Sequence, residues 1–413
     1  VLYKIKMINV IGMGYIGLPT ALMISSSKVD HVIGTDIDNK KINNLNNKYL
    51  TFEENELSVV FDKAIENGME FSTEYADAEF YIISVPTPYS AKSKKIDPKF
   101  IITAVEEIIK ISTQEATIVI ESTIPPGTID NYIRPIIKKA KKENCLHLVH
   151  APERIIPGNM IYELRNNDRT IGADSKIIGE KVKRIYGSFC NGEITVTDIR
   201  TAEMSKVVEN TYRDINIAFA NELAKICREG GLDVYKIIDI ANRHPRVNIL
   251  KPGPGVGGHC ISVDPWFLVG DYPDTADLIY TARKINDSMP LYVFNRLKDI
   301  MRSEGIHSFE KVGFYGITYK ENVDDIRESP MLQLIDKLNE NDDMAVNQFK
   351  LYDPMLTYKI VENQEMEFNT FIDSVDVIVV MTAHDHLLMN KELLAGKIIY
   401  DTRNAINDAK YTI

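Results

Sequence analysis

A short apolar run, Ile8 to Ile11, leads straight into Gly12-Met13-Gly14-Tyr15-Ile16-Gly17, and a helix-forming stretch from Leu18 to Ile24 follows. This order of strand, glycine turn and helix constrains the fold more than any other feature of the chain. In such a turn Gly12 makes the tight bend, Gly14 lets the backbone approach a pyrophosphate, and Gly17 lets the helix pack on the strand. The amide groups at the helix start then face the negative charge. The next run, His31 to Asp36, ends in an acid about 20 residues on, where a carboxylate suits the ribose 2′-OH. A carboxylate there repels a 2′-phosphate, so NAD is expected rather than NADP. The structural alternatives are an ordinary glycine turn and an Asp36 that merely shapes a loop.

The pattern continues through the first half of the chain. Phe80–Ser84, Ile118–Glu121 and Leu146–His150 are short, apolar and bounded by polar or proline turns, as buried parallel strands are. The loops Val85-Pro86-Thr87-Pro88 and Glu121 to Thr128 then lie at strand C-termini, where open α/β sheets bind ligands. Near residue 200 the character changes. A helical pattern runs from Thr201 to Arg228 and stops at Gly230-Gly231. Asp233 suits the cap of a second helix reaching about Asn242. A loop with His244, Pro245 and Arg246 follows, then a Gly/Pro-rich segment, then a helical stretch from Ala276 to Met301. Strands resume at Lys311–Gly316, Phe349–Tyr352, Val375–Met381 and Ile398–Asp401, with a helix Met331–Asn339, and this later α/β unit lacks a Gly-x-Gly-x-x-Gly. A chain of 413 residues exceeds the roughly 250–300 that one core supports. The expected class is α/β: two Rossmann-like doubly wound domains, 1–198 and 303–413, joined by a central helical domain, 199–302, with one long helix.

Composition narrows the partners. The net charge of -11 disfavours nucleic acid, which needs a basic surface, but permits a nucleotide in a local positive pocket. No apolar run reaches the roughly 18–20 residues of a membrane span, and no cleavable segment is evident before the first strand. A cytoplasmic protein with no membrane partner is expected. The four cysteines lack metal-type spacing, so no metal is expected; Cys145, Cys190 and Cys227 read as core or helix-face residues.

Two groups carry candidate chemistry. Lys206, Asn210 and Arg213 stand at i, i+4 and i+7 on the long helix, which puts them on one face. That face suits a polar or anionic substrate, or is simply solvated. Cys260 follows Gly255-Val256-Gly257-Gly258-His259 and precedes Ile261-Ser262-Val263-Asp264-Pro265-Trp266. Glycines permit close approach of a ligand, and a cysteine in a polar loop can be activated by cations. The alternative is a small buried residue.

Taken together, GMGYIG, VPTP, ESTIPPGT, APERIIPGN, SKVVENTYR, GVGGHCISVDPWF and GITYKENVDDIRESP resemble the UDP-glucose/GDP-mannose dehydrogenase family in motif and order over nearly the whole chain. The resemblance implies an NAD-dependent, four-electron oxidation of a UDP-sugar at C6. It implies that Cys260 is the nucleophile, passing through a thiohemiacetal and a thioester, with Lys206, Asn210, Asp264 and Glu153 as the catalytic polar set. Gly12, Gly14, Tyr15, Ile16, Gly17 and Asp36 match the NAD fingerprint, Thr87 and Thr123 its cofactor loops, and Arg327 an arginine that reaches the cofactor. Arg154, Ile155, Lys206, Asn210, Arg213, His244, Arg246, Gly257, Tyr319, Lys320 and Arg403 match substrate positions, and Arg246 lies where a neighbouring subunit can be served.

Family members acting on UDP-glucose usually have Ser before the cysteine, Phe-Pro-Lys-Asp after it, and Pro-Glu-Phe where this chain has Pro152-Glu153-Arg154. His259, Ile261 and Arg154 therefore point to N-acetylated sugars. The segments Arg154-Ile155-Ile156-Pro157-Gly158 and Arg243-His244-Pro245-Arg246-Val247 are most similar to members acting on UDP-N-acetyl-D-mannosamine, with UDP-N-acetylglucosamine next. A two-electron β-hydroxyacid dehydrogenase leaves the third domain and the cysteine motif unexplained, and a non-catalytic nucleotide-sugar sensor would not be expected to keep Lys206 and Cys260. The long helix carries Val207, Val208, Ile215, Ile217, Phe219, Leu223 and Ile226, more apolar positions than a one-sided helix needs. Its second face packs either on a second copy, giving a homodimer or homotetramer, or between flanking domains.

Overall fold

The computed structural model describes residues 7–27, 31–90, 92–156, 158–258, 260–407 and 409–413. His259 and Pro157, used above for sugar choice, lie outside them. The chain forms two compact units, residues 1–208 and 209–413.

The first unit holds a sheet of eight strands: β1 (Ile8–Ile11), β2 (Val32–Thr35), β3 (Glu70–Ser72), β4 (Phe80–Ile83), β5 (Ala116–Ile120), β6 (Leu146–His150), β7 (Arg169–Ala173) and β8 (Ile194–Thr197). Their order is β3-β2-β1-β4-β5-β6-β7-β8. All neighbours are parallel except β6 and β7. Helices cover such a sheet on both faces, so β1, β4 and β5 are buried along their whole length and read as unbroken apolar runs. Strand order reverses between β1 and β4, which opens a crevice at their C-terminal ends. The expected strands match within two residues. β3, β7 and β8 are additional: β3 carries an exposed Glu70, β7 a buried Arg169 and β8 a half-exposed face, so none gives a clean apolar run.

In the second unit β9 (Val312–Tyr315), β10 (Lys350–Tyr352), β11 (Val377–Val380), β12 (Ile398–Asp401) and β13 (Tyr411–Thr412) form an all-parallel sheet ordered β10-β9-β11-β12-β13. The long helix Ile199–Glu229 begins in the first unit and continues into this one. It ends as its glycines dictate: Gly231 adopts φ +66° and Leu232 N–H closes on the Cys227 carbonyl at 2.7 Å. Asp233 caps the helix Val234–Ala241 by accepting from Lys236 N–H. A helix Asp277–Ser303 completes the helical layer. Arg283, fully buried, pairs with Asp214 at 2.5 Å. Asn286 donates to Asp214, Asn221 donates to Asn286, and Gly253 N–H donates to Asn221 at 2.9 Å. This polar chain ties the Gly/Pro-rich segment to the two helices. Among the described residues no helix is long and apolar enough to cross a membrane.

Candidate active site and cofactor cradle

The crevice between β1 and β4 explains each glycine differently. Gly12 has φ +95°, and a Cβ there would lie 2.6 Å from the Ser84 carbonyl oxygen. A Cβ on Gly17 would lie 1.9 Å from the Gly12 oxygen, so the helix Gly17–Ser26 packs on the turn only without one. Gly14 has nothing within 4 Å of its Cβ position; its bareness serves space, not packing. The helix begins at Ile16 with no side-chain cap, which leaves its first amides for an anion. Asp36 is buried and accepts from Met13 N–H at 2.8 Å and Asp38 N–H at 3.0 Å. Lys41, which no sequence motif marks, adds an ion pair at 2.7 Å. Tyr15 is exposed beside Phe52, their ring centroids 4.4 Å apart. Thr87 and Thr123 are half-buried in the loops after β4 and β5, and Ser122 Oγ ties these loops together by donating to the Val85 carbonyl at 2.6 Å. Open space over Gly14, uncapped amides and a carboxylate at the end of β2 fit a dinucleotide.

Behind this cradle lies a buried charge cluster. Glu121, at the end of β5, accepts from Ser84 Oγ at 2.6 Å, Tyr186 OH at 3.1 Å and Thr20 Oγ1 at 3.3 Å. The Arg169 guanidinium stands 4.0 Å from Glu121 and pairs closely with Glu153, its carbon 4.5 Å from the centre of the Tyr186 ring. Burial, then the neighbouring Glu153 charge, pushes the Glu121 carboxyl up to about 7 against the pull of Arg169. Neither Glu121 nor Arg169 was singled out from sequence; an acid closing the apolar run 116–120 was the available signal. Arg154 is committed to the Asp168 carbonyl at 2.7 Å and Thr170 Oγ1 at 3.0 Å, and Ile155 packs against the core. Burial, with a contribution from the Lys206 charge, pushes His150 down to about 3. Its Nδ1 donates to the Ile120 carbonyl at 2.8 Å, and Nε2 finds no hydrogen-bond partner among the described residues.

In the second unit Cys260 is half-buried on a turn that starts a helix: Val263 and Asp264 N–H both donate to its carbonyl, and Asp264–Asp271 follows. The Asn210 amide donates to Asp264 at 2.6 Å, both side chains buried. Tyr319 presses on the bare backbone before the cysteine; a Cβ on Gly257 would lie 2.5 Å from the Tyr319 Cβ, and one on Gly258 2.9 Å from its ring. Gly258 N–H donates to the Arg327 carbonyl at 2.9 Å. Arg327 is held by Asp325, which raises its pKa above the ordinary value, with Cys260 adding a smaller push. Burial, then Asp325 and, more weakly, Cys260, pushes the Tyr319 phenol up to about 12. Cys260, Tyr319 and Arg327 thus share one electrostatic environment. The Arg403 Nη1 would lie 3.0 Å from a Cβ on Gly253, and its Nε donates to the Met381 carbonyl. Lys320 is half-buried.

The three residues on the long helix differ in burial. Lys206 and Asn210 are buried, but Arg213 is exposed. The three positions span about two turns, and what packs on the helix covers the first two and not the third. His244 and Arg246 are also exposed, in a loop pinned by Asn242 and Asn216. Cys145 is half-buried rather than core, whereas Cys190 and Cys227 are buried. No cluster of three or more His, Cys, Asp or Glu that could hold a metal occurs among the described residues.

Comparison with known proteins gives three family matches in series: the NAD binding domain of the UDP-glucose/GDP-mannose dehydrogenase family over residues 6–190, its central domain over 200–288, and its UDP binding domain over 313–408. The UDP-N-acetyl-D-mannosamine dehydrogenase of Methanococcus maripaludis is 44% identical over 98% of the chain and 94% of its own length. A solved UDP-D-ManNAc dehydrogenase of Pyrococcus horikoshii superposes with a TM-score of 0.89 at 34% identity, covering 97% of this chain and 96% of that one. The UDP-N-acetyl-mannosamine dehydrogenase of Staphylococcus aureus gives 0.87 at 38%, covering 98% of both.

Proposed function

Since the chain belongs to the UDP-glucose/GDP-mannose dehydrogenase family and is an NAD-dependent nucleotide-sugar dehydrogenase, we propose that it oxidises C6 of UDP-N-acetyl-D-mannosamine to the carboxylate, giving UDP-N-acetyl-D-mannosaminuronate. The Cys260 loop carries this proposal: a cysteine on glycine-freed backbone, beside Tyr319 and Arg327. The names of the similar proteins support the sugar.

Bound NAD supplies the hydride acceptor for both oxidations. Once C6 is an aldehyde, the Cys260 sulfur adds to it and a proton passes to oxygen, giving a thiohemiacetal whose carbon again carries a hydride to lose. The second oxidation leaves a thioester on Cys260, which water cleaves to the carboxylate. Asn210 donates one amide hydrogen to Asp264 and keeps the other for a developing oxyanion, where the Lys206 ammonium adds charge. Lys206, Asp264 and Glu153 are the candidates for activating the water; Glu153 is held by Arg169. Arg154, Ile155, Arg213, His244, Arg246, Gly257, Tyr319, Lys320 and Arg403 are proposed to contact the UDP-sugar, and Thr87, Thr123 and Arg327 the cofactor. Domains at 1–198, 199–302 and 303–413 fit this division of labour.

We further propose a homodimer or homotetramer. On the long helix Val208, Tyr212, Phe219 and Ile226 are exposed, an apolar face left open among the described residues. In such an assembly the exposed Arg246 is the residue that, by the family resemblance, serves a neighbouring subunit. The thiol chemistry suits a reducing compartment, here the cytoplasm.

A panel of UDP-hexoses with NAD⁺ tests the reaction. Two NADH per UDP-N-acetyl-D-mannosamine is the expected count; one NADH with a stable aldehyde would sink the four-electron reading, and preference for UDP-N-acetylglucosamine would move the substrate. Cys260→Ser is expected to lose turnover by about 10³-fold or more with UDP-sugar binding retained.

A further inference from the structure

The second sheet has its own buried polar cluster, outside the reacting groups. Asp353 follows β10, Thr318 follows β9 and His384 follows β11; their exposures are 3%, 1% and 0%. One Asp353 oxygen accepts from Ile317 N–H at 2.7 Å, Thr318 N–H at 2.8 Å and Thr318 Oγ1 at 3.0 Å. The other accepts from Met355 N–H at 2.8 Å. His384 Nδ1 accepts from Asn322 N–H at 2.9 Å, which puts the ring proton on Nε2, 3.2 Å from Asp353. Thr382 Oγ1 donates to the Thr318 carbonyl at 2.6 Å, and Asp385 N–H donates to the Asn322 side chain at 3.0 Å.

These bonds share one consequence. The segment 317–322 is held at its first amides by Asp353 and at its last by His384. Between those anchors stand Tyr319, which presses on Gly257 and Gly258 ahead of Cys260, and Lys320. Burial alone would raise the Asp353 carboxyl; the His384 ring and the Thr318 and Met355 amides outweigh it and hold it below the ordinary carboxylate value. A buried acid so fully engaged has little left to offer a ligand, so its work is on the loop.

We propose that Asp353 and His384 are positioning residues that preset the 317–322 loop, and through it Tyr319 and Lys320, for the UDP-sugar. This rests on the reading above that Tyr319 and Lys320 contact that substrate. A loop ordered in advance loses less entropy on binding, so the pair acts on affinity more than on the chemical step.

The experiment uses the full chain. UDP affinity is measured by calorimetry, and KM and kcat for UDP-N-acetyl-D-mannosamine at saturating NAD⁺. His384→Leu removes the ring's bonds to Asn322, Asp353 and Thr318 and is expected to weaken UDP binding and raise KM about 10-fold or more, with kcat within about threefold and the KM for NAD⁺ unchanged. His384→Gln keeps one acceptor and one donor and is expected to restore both values to near wild type. Thr318→Val removes only a hydroxyl at constant volume, is expected to raise KM several-fold, and decides the matter should His384→Leu not fold. If wild type binds UDP and both His384→Leu and Thr318→Val bind it equally well, or lose kcat at unchanged KM, the pair is merely structural and the inference is overturned. A wild-type chain that binds no UDP overturns the substrate reading and this inference with it.

Discussion

At β1 and at β9 the chain makes the same departure from its sheet. Each strand ends in a glycine of positive φ, Gly12 at +95° and Gly316 at +97°. Each glycine donates its N–H to the last residue of the neighbouring strand, Thr35 at 2.7 Å and Tyr352 at 2.9 Å. Each is bare because a Cβ would strike the loop across the switch point, Ser84 oxygen at 2.6 Å or Thr382 nitrogen at 2.5 Å. The residue after each neighbouring strand is an acid, Asp36 or Asp353, that accepts amides from the glycine's own loop. There the likeness stops. The first loop continues with Gly14, open to space, and its acid meets half-exposed Lys41. The second continues with Ile317 and Thr318, both buried, and its acid meets buried His384. One topological crevice leaves its backbone bare, as a diphosphate requires; the other is filled, so that in the function proposed above recognition falls to what its loop carries.

Exchanging the glycine probes the contrast most strongly. Gly17→Ala places a methyl 1.9 Å from the Gly12 oxygen, so the cradle must deform; NAD affinity is expected to fall about 100-fold while UDP affinity stays within about twofold. Parallel loss of UDP binding in a titration would mean that the two crevices are not independent.

The acids should separate next. Asp353→Ala leaves the Ile317 and Thr318 amides and the His384 ring without their acceptor, and denaturant melts are expected to show a loss of about 2–4 kcal/mol. Asp36→Ala is expected to cost NAD about tenfold in affinity and to narrow its advantage over NADP, with a smaller loss of stability than Asp353→Ala, because Asp36 accepts fewer hydrogen bonds and its partner Lys41 is half-exposed. Equal stability losses in the two variants would erase the distinction drawn between them.

Glu121 gives the most pH-specific effect. Its carboxyl holds a proton up to about 7 in the folded chain, against an ordinary value of 4.5. Between those limits the folded state binds more protons than the unfolded state, so this group's contribution to stability falls as pH rises from about 4.5 to about 7. Glu121→Gln removes the titration and is expected to flatten that decline by on the order of 1–3 kcal/mol. Thermal melts of both proteins across the window check it; identical slopes would place the titration elsewhere.

Much of this was legible in the chain itself, for a local reason. Gly12, Gly14 and Gly17 mark backbone that has to bend, bare itself or pack closely. Those demands leave fixed spacings, as do the apolar runs of β1, β4, β5, β11 and β12. Asp233 and Gly231 bounded their helices as written, and the glycines before Cys260 announced close contact, though not that Tyr319 makes it. What the tertiary structure alone decided was partnership. Spacing put Lys206, Asn210 and Arg213 on one helix face, but burial of the first two and exposure of the third depends on what packs there. Glu121, Glu153 and Arg169 lie far apart in sequence, as do Thr318, Asp353 and His384, and no period connects them. A buried charge is tolerated only beside its partners, and those partners are chosen by the order of strands in the sheet, which a linear pattern of residues does not carry.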